Sequence, residues 1–116
     1  MDIRIIREPI SRSALREFIH PDFMNMVKAV VDVQKGIMAL GGELHADEEL
    51  VLTEREHSTR ADTWGINLYP DQIGEDFIEF DSMINLKPAF GNRSRRVEDL
   101  ATQEQIKKIV ATLILP

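Results

Sequence analysis

The sequence contains no cysteine, which excludes disulfides, thiolate zinc sites, iron–sulfur clusters and thiol nucleophiles. It also contains no apolar run near the ~18 residues that a membrane-spanning helix needs. The first residues, MDIRIIRE, lack the apolar stretch of a signal peptide. We therefore expect a cytoplasmic protein with no membrane partner.

Basic residues are in the minority, with 14 Lys and Arg against 20 Asp and Glu and a net charge of −6 at pH 7. This balance argues against general nucleic-acid binding, although a local basic patch could still contact a phosphate. The 43% of hydrophobic residues is too high for intrinsic disorder, and 116 residues suffice for one domain. We predict a single domain over 1–116.

The spacing of apolar residues predicts a small α+β fold with a largely antiparallel sheet, covered on one face by flanking helices. Strands are expected at 3–6, 26–33, 37–40, 64–69 and 77–86, with a hairpin turn that needs a positive φ at Gly36. A helix is expected after Ser11. The clearest pattern predicts a C-terminal amphipathic helix, capped by Asp99 or Thr102, whose apolar side chains are Ile106, Ile109, Val110, Leu113 and Ile114.

The segment 46–55 fits either a helix or a strand. Asp47 as an N-cap, with acidic residues in the first turn, favours a helix. The alternation of Leu50 and Leu52 with their neighbours would suit a strand. The helix is the preferred interpretation, and it decides where His45 points.

A histidine and a carboxylate stand two residues apart in His45-Ala46-Asp47. Neutral imidazole and carboxylate are ligands for a divalent metal, and both could reach one site if His45 lies in the turn and Asp47 caps the helix. The alternative is that Asp47 only caps while His45 binds a backbone group.

Glu79 and Asp81 alternate on the predicted 77–86 strand, with Cβ atoms about 7 Å apart. Such a pair could hold a divalent cation or act as general acid and base. The alternative is a solvated outer face of the sheet. Phe77 and Met83 would lie on that same face and would need a cover, which a second subunit or the 43–56 helix could supply.

Two further features have a functional and a structural interpretation. The basic loop 91–96 could bind an anion through Arg93, Ser94 and Arg95, or it could pair with the acidic 43–56 stretch. Gly65 inside a strand is typical of close approach by another backbone or ring. The alternative is that Trp64 simply fills the core beside a small neighbour.

Three stretches resemble a family of short prokaryotic proteins that is a domain of unknown function. They are GIMALGGELHAD at 36–47, WGINLYP at 64–70 and IEFDSMINLKPAFGNRSRRVED at 78–99. The resemblance extends over about 26–110. It implies the fold described above, and it implies no activity.

Two functions from different classes remain. The favoured one is a binding or interaction module that acts as a homodimer without a cofactor. The alternative is a metal-assisted hydrolase acting on a phosphate-containing substrate, with His45, Asp47, Glu79 and Asp81 as catalytic or metal-binding residues. In that second hypothesis Arg93 and Arg95 hold the phosphate.

Overall fold

The protein forms an α+β fold, described for residues 2–116 by a computed structural model. Its strands are β1 Arg4–Ile6, β2 Ile10–Ser11, β3 Val27–Asp32, β4 Ile37–Leu40, β5 Thr63–Leu68, β6 Ile78–Glu79 and β7 Ile114–Leu115. Its α-helices are α1 Arg12–Arg16, α2 His45–Glu56 and α3 Leu100–Leu113. No helix in this part of the chain is both long enough and apolar enough to span a membrane.

The main sheet has five strands in the order β1-β4-β3-β5-β6, and every neighbouring pair is antiparallel. The β3–β4 hairpin turns at Gly36, whose φ of +67° lies in the region that the sequence required. β2 and β7 pair in parallel as a separate two-stranded sheet. The α+β prediction with an antiparallel sheet is confirmed.

Helices cover both faces of the sheet, so the prediction of a single covered face is wrong. On one face, Val31 and Met38 pack in the same cluster as Ile106 of α3. On the other face, Val30 and Ala39 pack with Leu52 of α2. The central strands β3 and β4 carry apolar side chains on both faces, and a sheet of that kind needs a helix on each side.

The segment 46–55 is helical. α2 begins at His45, after Leu44 as an N-cap that makes no side-chain hydrogen bond. It ends at Glu56, and its C-cap His57 has a left-handed φ of +57°. Asp47 therefore lies in the first turn and is not the cap. Its carboxylate still favours the helix through the partial positive charge at the N-terminus.

The predicted strand over 77–86 is wrong beyond its first residues. β6 is two residues long, and the chain then leaves the sheet for a 3-10 turn at Met83–Asn85, whose N-cap is the hydroxyl of Ser82. Phe77 is buried in the core beneath the Arg12 guanidinium, 4.0 Å from its ring centroid. Phe77 and Met83 therefore do not share an exposed face.

The C-terminal helix follows the prediction closely. Asp99 is its N-cap, accepting hydrogen bonds from the Thr102 backbone N–H at 3.3 Å and from its hydroxyl at 2.8 Å. Ile106, Val110 and Leu113 are buried. Ile114 is already in β7, where it pairs with Ile10.

Candidate functional site

Polar side chains from separate segments converge on one pocket of about 330 Å³. The start of α2, strand β5 and the residue after it, strand β6, and the two loops that follow β6 all contribute to its lining. The polar residues lining it are Lys28, His45, Asn67, Tyr69, Glu79, Asp81, Ser82 and Arg95. The sequence left open whether these segments meet, and the fold brings them together because β6 pairs with β5 while α2 covers that face of the sheet.

Glu79 is held by two neighbours, one in β5 and one directly after it. Its Oε1 accepts a hydrogen bond from Asn67 Nδ2 at 2.9 Å and another from the Tyr69 hydroxyl at 2.8 Å. Burial raises the pKa of Tyr69 to about 12, with help from that bond and from the charges of Glu79 and Asp81. Tyr69 is therefore a fixed donor at physiological pH. Glu79 Oε2 has no hydrogen-bond partner among residues 2–116.

The amide of Asn67 is oriented by its acceptors. Nδ2 also donates to the Asp81 carbonyl at 3.3 Å, so the nitrogen must face Glu79 and Asp81. The buried Oδ1 then has no hydrogen-bond partner in the described chain. Unpaired buried acceptors are rare in folded proteins, and this one lies beside the ring of His45.

His45 is buried and its Nε2 lies 2.8 Å from the Ile66 carbonyl, which can only accept. Nε2 therefore carries a proton, and Nδ1 holds the lone pair of the neutral ring. Burial lowers the pKa of His45, helped by the charge of Lys28 and opposed by the Ile66 carbonyl, by Asp81 and by Asn67. The ring is neutral near pH 7, and Nδ1 is an acceptor with no partner within residues 2–116.

Asp81 and Arg95 form an ion pair at the edge of the pocket. Arg95 Nε donates to Asp81 Oδ1 at 2.8 Å, and Nη2 lies 3.4 Å from Oδ2. Both side chains are about half exposed, so solvent weakens their attraction. Asp81 is thus neutralised within the chain, while Glu79 keeps its charge.

The basic loop already holds an anion of its own. Glu98 Oε1 accepts a hydrogen bond from the Arg93 backbone N–H at 3.2 Å. A hydrogen bond from Ser94, with that backbone bond and the Arg93 charge, lowers the pKa of Glu98. The acidic partners of this loop are Glu98 and Asp81, so the expected pairing with 43–56 is not what the structure contains. Anion binding by Arg93, Ser94 and Arg95 stays a prediction.

Asp47 stands apart from the other three residues that were predicted as metal ligands. Asp47 is exposed and does not line the pocket with His45, Glu79 and Asp81. Within residues 2–116 there is no group of three or more His, Cys, Asp and Glu side chains placed to hold a metal ion. The catalytic and metal-binding roles of these four residues stay predictions.

The sequence model of a protein family described as a protein of unknown function (DUF5674) matches residues 4–113. The chain belongs to this family. No curated protein and no solved structure matches it. The predicted resemblance to a family of unknown function is therefore confirmed, while its motif details and a prokaryotic origin stay predictions.

Asn85 and Asn92 support the pocket in this DUF5674 protein, and neither was among the predicted site residues. Asn85 binds both backbone groups of Gly65, accepting from its N–H at 2.8 Å and donating to its carbonyl at 3.0 Å. Its amide thus continues the sheet at the point where β6 has ended. A Cβ added at Gly65 would lie 2.5 Å from the Ser82 side chain, so a serine side chain approaches this glycine and not the backbone or ring that was predicted.

Asn92 organises the loop that carries Arg95. Its Nδ2 donates to the carbonyls of Asn85, Ser94 and Arg96, and its Oδ1 accepts from the Glu98 N–H. Asn92 is 4% exposed. An asparagine between a glycine and a run of arginines was a usable signal, because a buried amide is a common way to satisfy the carbonyls of a tight loop.

Lys87 also has a structural position, outside the pocket. Its ammonium donates to the carbonyls of Arg60 and Thr63 and lies 3.8 Å from the Trp64 ring centroid. Burial lowers the pKa of Lys87 to about 8. Two carbonyls and a π face occupy its three N–H directions, so this lysine fixes the start of β5.

Proposed function

We propose that this DUF5674 protein is a binding module whose ligand, a small polar molecule with hydrogen-bond donors, enters the 330 Å³ pocket. The proposal is carried by three acceptors of residues lining that pocket that have no partner in the described chain: His45 Nδ1, the buried Asn67 Oδ1 and Oε2 of the exposed Glu79. A pocket of this volume is at the lower end of the range for small-molecule sites.

The donors already present at the pocket support a ligand that donates. The Tyr69 hydroxyl and Asn67 Nδ2 are both directed at Glu79, and the Arg95 guanidinium is directed at Asp81. An N–H or O–H of the ligand would therefore find acceptors, whereas a ligand carboxylate would meet the free charge of Glu79. An amine, amide or amidine fits these groups best.

The rim of the pocket supports a ligand with an apolar part. Leu44 is 55% exposed, Met83 is 62% exposed, and Met26 lines the same opening. Methionine side chains adapt to different apolar shapes. A ligand that places its donor on Glu79 and its apolar portion against Met83 would use both parts.

The test is a ligand-observed NMR screen of small amines, amides and amidines against the wild type, Glu79→Gln and Glu54→Gln. Glu54→Gln makes the same charge change on the exposed surface of α2. We expect compounds that bind the wild type and Glu54→Gln but bind Glu79→Gln about tenfold more weakly, the loss of one charged hydrogen bond. Binding that is equal in all three proteins would contradict the proposal, as would a screen without any hit.

The metal-assisted phosphate hydrolase is the second candidate. His45, Glu79 and Asp81 line one pocket together with Arg95, and this supports it. A thermal melt with Mg²⁺, Mn²⁺, Zn²⁺ and phosphate tests it, since a ligand of the folded state adds about 2.7 kcal/mol at a hundredfold excess over Kd. A rise in Tm that Glu79→Ala removes would favour the hydrolase over the binding module.

The homodimer stays a prediction. Of the two residues that motivated it, Phe77 is buried and Met83 is exposed, so the remaining support is the apolar rim formed with Leu44. Light scattering after size-exclusion chromatography, at two protein concentrations, measures the mass directly. Met83→Ser should lower the dimer fraction if this rim is the interface.

A further inference from the structure

A second and larger groove, of about 1070 Å³, lies along the outer edge of β6. Residues 78–81 line it, together with Gln103 and Lys107 of α3, Arg96, and residues of the 72–76 loop. It adjoins the smaller pocket, because Tyr69, Glu79 and Asp81 border both. This groove has no role in the sequence-based predictions or in the proposed small-molecule site.

β6 is an edge strand with free backbone groups. Tyr69 N–H donates to the Phe77 carbonyl at 2.9 Å, and Asn67 is paired with Glu79. Because the bonded pairs of an antiparallel ladder alternate, the N–H and C=O of Ile78 and Phe80 point away from β5. Within residues 2–116 these groups have no backbone partner, and both residues line the groove.

We propose that this edge accepts an extended peptide segment with basic side chains as an additional antiparallel or parallel strand. An added strand would pair with Ile78 and Phe80, two residues apart, which is the spacing at which an edge presents outward N–H and C=O groups. The main-chain bonds would supply affinity. The side chains of the groove would supply selectivity.

The charges along the groove favour a basic peptide. Four carboxylates line it, Glu75, Asp76, Glu79 and Asp81, against the two cations of Arg96 and Lys107. Asp81 is already paired with Arg95 and Lys107 with Glu104, which leaves three carboxylates against Arg96. The whole chain carries a net charge of −6. Lysine or arginine side chains of a peptide would therefore be attracted, and acidic peptides repelled.

The shape of the groove favours a single extended chain over a second copy of the protein. The edge does not stand free, because α3 and the 72–76 loop contribute to the same lining. A lone strand can lie between an edge strand and a helix, whereas the edge of another folded sheet would bring its own covering helices into the same space. Pairing between two β6 edges is therefore an outcome that the test must detect.

The test uses fluorescein-labelled hexapeptides of alternating lysine and valine and measures fluorescence anisotropy with the full chain. A second peptide has the same sequence with N-methyl groups on alternate backbone nitrogens, and a third has glutamate in place of lysine. We expect the lysine peptide to bind, the N-methylated peptide to bind about tenfold more weakly because donors to the edge are lost, and the glutamate peptide to bind least. This comparison needs no change in the protein, so folding cannot confound it.

The variants Lys107→Glu and Lys108→Glu test whether the peptide binds in the groove. Lys107 lines the groove, whereas its neighbour Lys108 is exposed and lies outside it. Lys107→Glu should tighten binding of the lysine peptide by about two- to fivefold, the range for one exposed charge pair, and Lys108→Glu should change it less. Three results would overturn the proposal: equal affinity of the N-methylated peptide, equal effects of the two substitutions, or no binding of any peptide. Sedimentation showing a dimer that the lysine peptide does not dissociate would assign the edge to a second copy instead.

The two experiments distinguish a failure of the peptide proposal from a failure of the small-molecule proposal. Backbone N-methylation acts on contacts with Ile78 and Phe80, while Glu79→Gln changes the acceptor of the smaller pocket and one carboxylate of the groove. The edge assignment is therefore judged by the comparison of peptides on the unchanged protein. Loss of small-molecule binding in Glu79→Gln, with no discrimination between the peptides, would leave the pocket assignment intact and remove the edge assignment.

Discussion

Gly65→Ala is the sharpest test of how the chain passes over the sheet after β6. A Cβ at position 65 would lie 2.5 Å from both Cβ and Oγ of Ser82 and 3.1 Å from Cγ1 of Ile84. Carbon atoms in contact are normally about 3.5–4.0 Å apart. The methyl group therefore cannot be added unless the 82–85 turn moves outward.

The cost of that movement has two parts. Overpacking a well-packed interior by one methyl group costs about 1–3 kcal/mol. An outward shift of the turn also weakens the two bonds between Asn85 and the Gly65 backbone, each of which contributes about 1 kcal/mol. We expect Gly65→Ala to lower the free energy of unfolding by about 3 kcal/mol, a large part of the 5–15 kcal/mol that is usual for a domain.

Urea unfolding followed by the fluorescence of Trp64, the single tryptophan, measures this cost as a lower midpoint at constant slope. Ser82→Gly supplies the matched second variant, because it removes both atoms that lie 2.5 Å from the added methyl group. On its own it should cost about 0.5 kcal/mol through the lost cap of the 83–85 turn.

The double variant Gly65→Ala/Ser82→Gly should lose at least about 1 kcal/mol less unfolding free energy than the two single variants lose in sum. The reason is that the added methyl group no longer meets the Ser82 side chain. The reasoning would be refuted by a cost of Gly65→Ala below about 0.5 kcal/mol, which is typical of a surface change. Strict additivity would also refute it, since it would mean that the methyl group meets something other than Ser82.

Three further predictions concern buried polar groups. Asn92→Ala removes four hydrogen bonds and should cost about 3 kcal/mol in urea unfolding, whereas a cost under about 1 kcal/mol would mean that water replaces the amide. Because the pKa of His45 is lowered in the fold, the unfolded chain binds the proton more tightly, and stability should fall as the pH drops below 6.5. His45→Gln should flatten this dependence of stability on pH in melts from pH 5 to 7. The buried Glu48 has a pKa well above 4.5, so the native state keeps a proton that the unfolded state loses, and stability relative to Glu48→Gln should decline as the pH rises above 4.5. A wild type and a Glu48→Gln variant with parallel pH profiles would contradict this last expectation.

Local patterns predicted the elements whose partners lie close in sequence. The β3–β4 hairpin depends on a tight turn with Gly36, and α3 depends on a cap and an apolar stripe within fifteen residues. Both kinds of signal are contained in the segment itself. The cover on the second face of the sheet was also visible, because Val30 and Ala39 are apolar on the side opposite to Val31 and Met38.

The 77–86 stretch failed because alternation alone does not make a strand. Ser82 caps the next turn with its own hydroxyl, and Asn85 uses its side chain to bond the Gly65 backbone where a strand would use its main chain. Short polar side chains of this kind compete with a ladder for the same N–H and C=O groups. Two such residues within four positions were a local signal for a turn.

The basic loop 91–96 was predicted either to bind an anion or to pair with the acidic 43–56 stretch, and the carboxylates that contact it lie outside that stretch. Glu98 accepts the Arg93 N–H, and Asp81 takes the Arg95 guanidinium. An external phosphate would have to displace a carboxylate that the fold has already positioned. Its affinity would reflect only the difference between the free energy of its own contact and that of the carboxylate contact it replaces. Glu98 binds only the backbone N–H of Arg93, but Asp81 already holds the Arg95 guanidinium that the hydrolase hypothesis needs. The binding module needs only the open acceptors of His45 and Glu79. The contacts of the loop therefore favour the binding module.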